Sequence, residues 1–312
     1  MKRRTFVKST ALTSTLLATG TLPNLQAKNR LNQATAPKFK LKFAPHTGMF
    51  KNHAGDNPLD EIQFMADQGF TAFEDNYLKD REPAMQDKIG TKLAQLNMDM
   101  GVFVGGRIKG KTPSLVMDDE SIRTAFLKRI QDSVTAAKRT NATWMTVLPG
   151  RLDLRQDMGY QTAHVIEVLK RAADILAPHN LVMVLEPLNF FNHPGLFLTK
   201  IAQAYQICKA VDSPACKILF DIYHQQIQEG NLIPNIDKAW SEIGYFQIGD
   251  NPGRKEPTTG EINYKNVFKH IHEKGFEGIY GMEHRNFSKG KEGELAVIKA
   301  YREVDYAVTK NR

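Results

Sequence analysis

Four oxygen-bearing side chains in the C-terminal half stand where short apolar runs end. Glu186 closes VMVLE, Asp221 closes KILFD, Gln247 lies in YFQIGD and Glu283 closes IYGME. They are 35, 26 and 36 residues apart, each close to one strand plus one helix. A charged group ending an apolar strand is costly to bury unless it is paired or coordinates a metal. Three acids and one amide facing one another favour a single hard divalent cation, Mg2+ or Mn2+, with Zn2+, Co2+ and Ni2+ left open. Two carboxylates on opposite sides of such a cation suit one chemistry in particular. Isomerising an α-hydroxycarbonyl compound needs a base for the C–H, an acid for the neighbouring carbon and a stabiliser for the developing oxyanion.

Those residues must be brought together by the elements around them. Short β-branched or aromatic runs at 40–45, 71–74, 99–104, 143–148, 182–186, 217–221, 243–248 and 278–283 read as strands. Amphipathic stretches at 58–68, 83–96, 120–139, 160–177, 198–211, 264–274 and 293–308 read as helices. Gly69 and Gly275 follow helical runs, where a left-handed residue ends a helix. Eight such alternations predict a closed parallel barrel or an open doubly wound sheet. No G-x-G-x-x-G follows the first strand, which weakens the dinucleotide-binding alternative. The expected fold is α/β, a single-domain (β/α)8 TIM barrel over 38–312. In it the four residues stand at the C-terminal mouths of strands five to eight, which converge on one site. His46 and Glu74, ending the first two strands, should face the same mouth, His46 as a substrate contact or a structural residue and Glu74 as a pocket residue that contacts substrate or bonds to a neighbouring side chain. His193 should cover the site from the loop after Glu186. Phe50, Phe190 and Phe191 are candidates for a pocket wall or an oligomer contact.

The N-terminus reads as an address. Residues 1–27 carry Lys2, Arg3, Arg4 and Lys8 with no acid, followed by a weakly apolar stretch. This resembles a twin-arginine export signal, too short and polar for a stable membrane anchor. A periplasmic or otherwise exported protein is therefore expected, with the twin-arginine machinery as a partner. A polar linker follows at 28–37. Net charge is +8, and these four residues leave about +4 for the remainder, which calls for no nucleic-acid partner. Cys208 and Cys216 are the only cysteines and are expected as separate buried thiols.

The words around the acids are more specific. LEPLN follows from Leu185, DIYH from Asp221, and PGRKEPTTGEINY from Pro252. Together with the terminal ME these resemble the hydroxypyruvate isomerase branch of the xylose isomerase-like barrel superfamily, over about Lys40 to Ala307. The resemblance implies one divalent metal held by Glu186, Asp221, Gln247 and Glu283. It also implies proton exchange with substrate by Glu186 and Glu283, and substrate contacts from His224 and Arg254. Lys255 and Glu256 are expected to face solvent, and Glu261 to be a local structural acid.

The leading functional expectation is isomerisation of a small sugar or keto acid. The same site would serve a ketose epimerase, or a lyase or hydratase acting on 3-keto-glycosides, which export makes more attractive. A zinc nuclease would need more strand-end histidines than the nine scattered here supply. A periplasmic sugar-binding protein would not need a pair of proton carriers. Oligomeric state stays open.

Overall fold

The computed structural model describes residues 36–106 and 114–308. The segment expected to be an export signal and most of the expected linker lie outside the described residues. The chain runs β1 (Lys42–Pro45), α1 (Lys51–Ala54), α2 (Pro58–Asp67), β2 (Ala72–Phe73), α3 (Pro83–Leu96), β3 (Asp99–Met100) and β4 (Phe103–Gly106). It continues through α4 (Glu120–Thr140), β5 (Trp144–Val147), α5 (Met158–Leu176), β6 (Val182–Leu185), α6 (Ile201–Val211) and β7 (Cys216–Asp221). Then come α7 (Ile222–Gln228), α8 (Leu232–Ala239), β8 (Ile243–Gln247), α9 (Tyr264–Glu273), β9 (Ile279–Met282) and α10 (Gly290–Val308).

Local chemistry sets these boundaries. Asn57, Asp119, Asp157 and Asn263 cap α2, α4, α5 and α9, each side chain accepting from backbone N–H groups of the first turn. Asn97, Asn141 and Asp212 end α3, α4 and α6 in the left-handed region, as Gly69 does (φ 86°) just beyond α2. The short α1, α7 and α8 carry too little periodicity to announce themselves in the sequence.

Seven strands form one parallel sheet in the order β1-β9-β8-β7-β6-β5-β4, and β2 pairs with β3. Glu74 N donates to Pro45 O (3.0 Å) and Thr47 N donates to Glu74 O (2.9 Å), joining β2 to β1. β3 leads into β4, so the ring closes as a (β/α)8 barrel in which β3 and β4 are one interrupted strand. The sequence predicted 99–104 as continuous. The break has a local cause: a Cβ on Gly101 would lie 2.6 Å from the Tyr245 hydroxyl, and Val102 N donates to that same oxygen at 3.3 Å.

Alternation along the strands divides the core. Outward residues pack with the helices into the larger cluster, while Ala44, Ala72, Val102, Val184, Leu219, Tyr245 and Ile279 fill the barrel interior. Successive strand residues face opposite sides. The positions two further along from this inner set include His46, Glu74, Glu186, Asp221 and Gln247, and Glu283 is four beyond Ile279. An apolar plug at the bottom and polar groups at the top thus follow from one period.

Phe50 departs from expectation. It is fully buried against Phe64 and Phe70 (ring centroids 5.5 and 5.8 Å) and belongs to the core, not to a pocket wall. Phe190 and Phe191 are exposed. Cys208 and Cys216 are buried thiols with sulfurs 4.0 Å apart.

The last helix is tied to the first strand's approach by Asp305, whose buried carboxylate accepts from Lys40 N (3.0 Å) and Leu41 N (2.9 Å). Asp305→Ala orphans both donors and should cost about 2–3 kcal/mol, with Asp305→Asn milder. Urea unfolding of the two variants checks this; equal stability to the parent would contradict it.

Candidate active site

The polar positions at the barrel mouth surround one cavity of about 580 Å3. Glu186, Gln247, Glu283, His224, His193 and Arg254 all line it. Asp221 lies directly behind them, wholly buried, and its carboxylate also caps α7 by accepting from His224 N (3.1 Å). His224 was expected near the rim, three residues beyond Asp221. It sits in the first turn of α7, where the cap fixes it against the site.

Gln247 illustrates how the interior sets a ligand. Its Nε2 donates to Glu74 Oε1 at 2.9 Å. The other oxygen of Glu74 accepts from the Tyr245 hydroxyl at 2.8 Å. A carboxylate accepts, so the amide must turn its nitrogen toward Glu74 and its oxygen away. That oxygen, Gln247 Oε1, is buried with no partner. A cation among Glu186, Asp221 and Glu283 would complete it, and this donor set of carboxylate and amide oxygens fits a hard divalent ion. Of the two roles expected of Glu74, bonding to neighbouring side chains is the one seen: it is fully buried, supports Gln247 from below, and is not among the residues lining the cavity. Gly281 makes room for it, since a Cβ there would collide with the Glu74 carboxylate. His46 is not a lining residue either; its Nδ1 faces Thr47 O at 3.0 Å and its ring meets Tyr77 edge-on.

His224 invites a second metal reading, because ligand atoms of Glu186, Asp221 and His224 lie within 4.8 Å of one another. Its hydrogen bonds argue for a different task. Asn189 N donates to His224 Nδ1 (3.2 Å), and Asn189 Nδ2 lies 2.6 Å from the same atom. A backbone N–H only donates, so Nδ1 is the acceptor and the neutral ring carries its proton on Nε2. Burial, the largest influence, lowers the imidazole pKa to about 4, which keeps it neutral. Nε2 is buried without a partner, 3.9 Å from Glu186 Oε1 and 3.8 Å from Asp221 Oδ2. It is a hydrogen-bond donor awaiting an oxygen. Asn189, the last residue of LEPLN, thus acquires a physical role that the sequence did not reveal.

Charge is concentrated here. Burial first, then the charges of Glu283 and Asp221, hold the Glu186 carboxyl well above the usual range, with Arg254 pulling it back. Glu74 is raised likewise by burial and by Glu283. Arg254 is the counter-ion: its Nη2 lies 2.6 Å from Asp221 Oδ2 and 2.9 Å from Glu283 Oε2. Burial works against its charge, but the carboxylates outweigh it and keep the guanidinium protonated. Arg254 itself adopts φ 52°, left-handed for a non-glycine residue, directly after Gly253 at φ 96°. Its neighbour Lys255 is half-buried, with Nζ donating to Asn286 O (3.1 Å). Glu256, expected at the surface, is buried and accepts from Phe287 N (2.8 Å), which pins the Arg254 loop to the segment after Glu283.

Asn76 and Thr146 also line the cavity and were not expected there. Asn76 lies three residues beyond β2, outside any strand-end pattern. Thr146 shares the inward face of β5 with Trp144, so alternation was the available signal.

A divalent cation held by Asp221 and Glu283 would compete with Arg254 for their carboxylates. Arg254→Met should therefore tighten Mn2+ binding about tenfold or more, read by calorimetry on metal-stripped protein. Unchanged or weaker binding would show that the guanidinium and the ion do not compete.

Comparison with known proteins agrees with this architecture. The xylose isomerase-like TIM barrel family model matches residues 62–303. Hydroxypyruvate isomerase of Escherichia coli K12 is 40% identical over 123 residues, 39% of this chain and 48% of that enzyme, so this match spans about half its length. 2-Oxo-tetronate isomerase of Pectobacterium atrosepticum is 29% identical over 260 residues, 81% of this chain and 95% of that enzyme. A crystal structure of an AP endonuclease, family 2, from Brucella melitensis superimposes with TM-score 0.72 at 26% identity, covering 81% of this chain and 96% of that one. The chain belongs to the xylose isomerase-like TIM barrel family.

Proposed function

We propose that the protein is a divalent-cation-dependent isomerase of a small α-hydroxycarbonyl compound, a keto acid or sugar, with Glu186 and Glu283 as its proton carriers. The observation that carries this is the pair of strand-end glutamates lining one cavity, with Asp221 and the unpaired Gln247 Oε1 beside them. The similarity to hydroxypyruvate and 2-oxo-tetronate isomerases supports the substrate class. A divalent ion, Mg2+ or Mn2+ by donor type, bound by Glu186, Asp221, Gln247 and Glu283 would supply Lewis-acid stabilisation of the developing oxyanion.

The chain's own groups do the rest. Two carboxylates on either side of the cavity can serve as base and acid for proton transfer between adjacent carbons. One glutamate takes the proton from carbon and the other delivers one to the neighbouring carbon; direction and substrate hand decide which acts first. His224 offers its Nε2 proton to a substrate oxygen, and its low pKa keeps it a neutral donor. Arg254, released from Asp221 and Glu283, has a planar fork suited to a carboxylate or vicinal diol. His193, half-buried with its ring 5.3 Å from that of His224, closes this side of the cavity.

The twin-arginine-like start supports a second reading: an exported epimerase or lyase using the same two glutamates on 3-keto-glycosides. Both readings share a C–H abstraction. Solvent deuterium should enter the substrate in the parent enzyme, and Glu186→Gln and Glu283→Gln should each slow that exchange by at least about 100-fold. Running keto acids and 3-keto-glycosides side by side separates the two. Exchange that survives both substitutions would rule the glutamates out as proton carriers.

A further inference from the structure

Asn76 lines the cavity and has no role in the proposed chemistry. Asn76 leaves β2 at the mouth, where its backbone carbonyl accepts from Val104 N of β4 (3.4 Å). Its side-chain nitrogen donates to Glu283 Oε1 at 2.9 Å. As with Gln247, a carboxylate neighbour fixes the amide: nitrogen toward Glu283, oxygen away. Asn76 Oδ1 is then a buried acceptor with no partner. The Thr146 hydroxyl, lining the same cavity, is also buried without a partner. Buried polar atoms are satisfied in most proteins, so unpaired ones beside a cavity point to a water, an ion or a ligand held there.

We infer that Asn76 both positions Glu283 and reads a substrate hydroxyl beyond the carbonyl–hydroxyl pair that reacts. The identity of the reacting pair rests on the isomerase reading; the hydroxyl contact rests on the amide's own geometry. An amide oxygen takes a hydroxyl proton and disfavours a carboxylate or phosphate, which would meet it oxygen against oxygen. The Thr146 hydroxyl can donate or accept and tolerates the same group. The ligand is then a polyhydroxylated keto acid or ketose of four or more carbons. Hydroxypyruvate has one hydroxyl, next to its carbonyl, and so none to spare for Asn76. A cavity of about 580 Å3 holds the longer chain easily.

The test separates this contact from catalysis by using ligands that cannot react. Binding of erythronate and of its 4-deoxy analogue to the Mn2+-loaded protein is measured by calorimetry. The parent should bind erythronate about tenfold or more tightly than the deoxy acid, because loss of the hydroxyl leaves buried polar groups unpaired. Asn76→Ala should bind the two alike, and so should Asn76→Leu, which fills the side chain's volume if the smaller residue disturbs the fold. A parent that binds both acids equally, or neither, overturns the proposal, as does a preference that persists in both variants. Turnover of 2-oxo-tetronate and its 4-deoxy analogue is then followed separately. Loss of Glu283's partner should lower kcat on both compounds, whereas loss of the hydroxyl contact should raise KM on the hydroxylated one only. A merely structural Asn76 would change KM for both alike. A parent that prefers erythronate but turns over neither keto acid refutes the isomerase reading and leaves the hydroxyl contact standing.

Discussion

The barrel mouth is organised around the repulsion of buried carboxylates. Glu74, Glu186 and Asp221 are buried and meet the quarter-exposed Glu283 at the ends of four different strands. Taken singly, each would be costly to keep ionised there. The surrounding structure reads as a set of answers to that cost. Tyr245 and Gln247 donate to Glu74. The backbone of α7 donates to Asp221. Arg254 bridges Asp221 and Glu283 from a left-handed turn whose position is fixed by the buried Glu256. Glu186 has the least of this support: no hydrogen bond from the described residues restrains its carboxylate, and burial first, then the charges of Glu283 and Asp221, raise its proton affinity. The group most exposed to unrelieved repulsion is one of the two the proposed chemistry uses as proton carriers.

A second layer translates this electrostatics into direction. Two amides, Gln247 and Asn76, and one imidazole, His224, each have one end fixed by a protein partner and the other end unsatisfied. With Glu74 and Glu283 as accepting carboxylates and the backbone N–H of Asn189 as a donor, the unsatisfied ends are oxygen, oxygen and N–H. The site therefore presents one oxygen from Gln247, one acceptor from Asn76 and one donor from His224. In the proposed reading the first would meet the cation and the other two the substrate.

Much of this was legible in the sequence, and the reason is periodicity. Strand ends at Glu186, Asp221, Gln247 and Glu283 could be located because each closes an apolar run, and a barrel sends such ends to one face. Partnerships across the barrel were not legible. Gly101 breaks a strand because Tyr245, far away in sequence, needs the space. Glu74 was expected as a pocket residue, but Gly281 makes room for it beneath Gln247 instead. Glu256 lies among polar loop residues and is buried only because its loop folds onto Phe287. Asn76 follows its strand by three residues, where no alternation rule reaches. The family supplies the fold and the general placement, and the same two glutamates could serve several reactions; the amides and the imidazole narrow that choice.

The central claim is that carboxylate and amide oxygens from four strands form one cation site, with His224 kept for the substrate. Anomalous diffraction from crystals soaked in Mn2+ addresses it most directly. The account predicts a single ion within coordination distance of Glu186, Asp221, Gln247 Oε1 and Glu283, with the Arg254 guanidinium moved off Asp221 and Glu283 and His224 still held by Asn189. An ion ligated by His224 Nε2 with Gln247 uninvolved, or no ion among these residues, would contradict it.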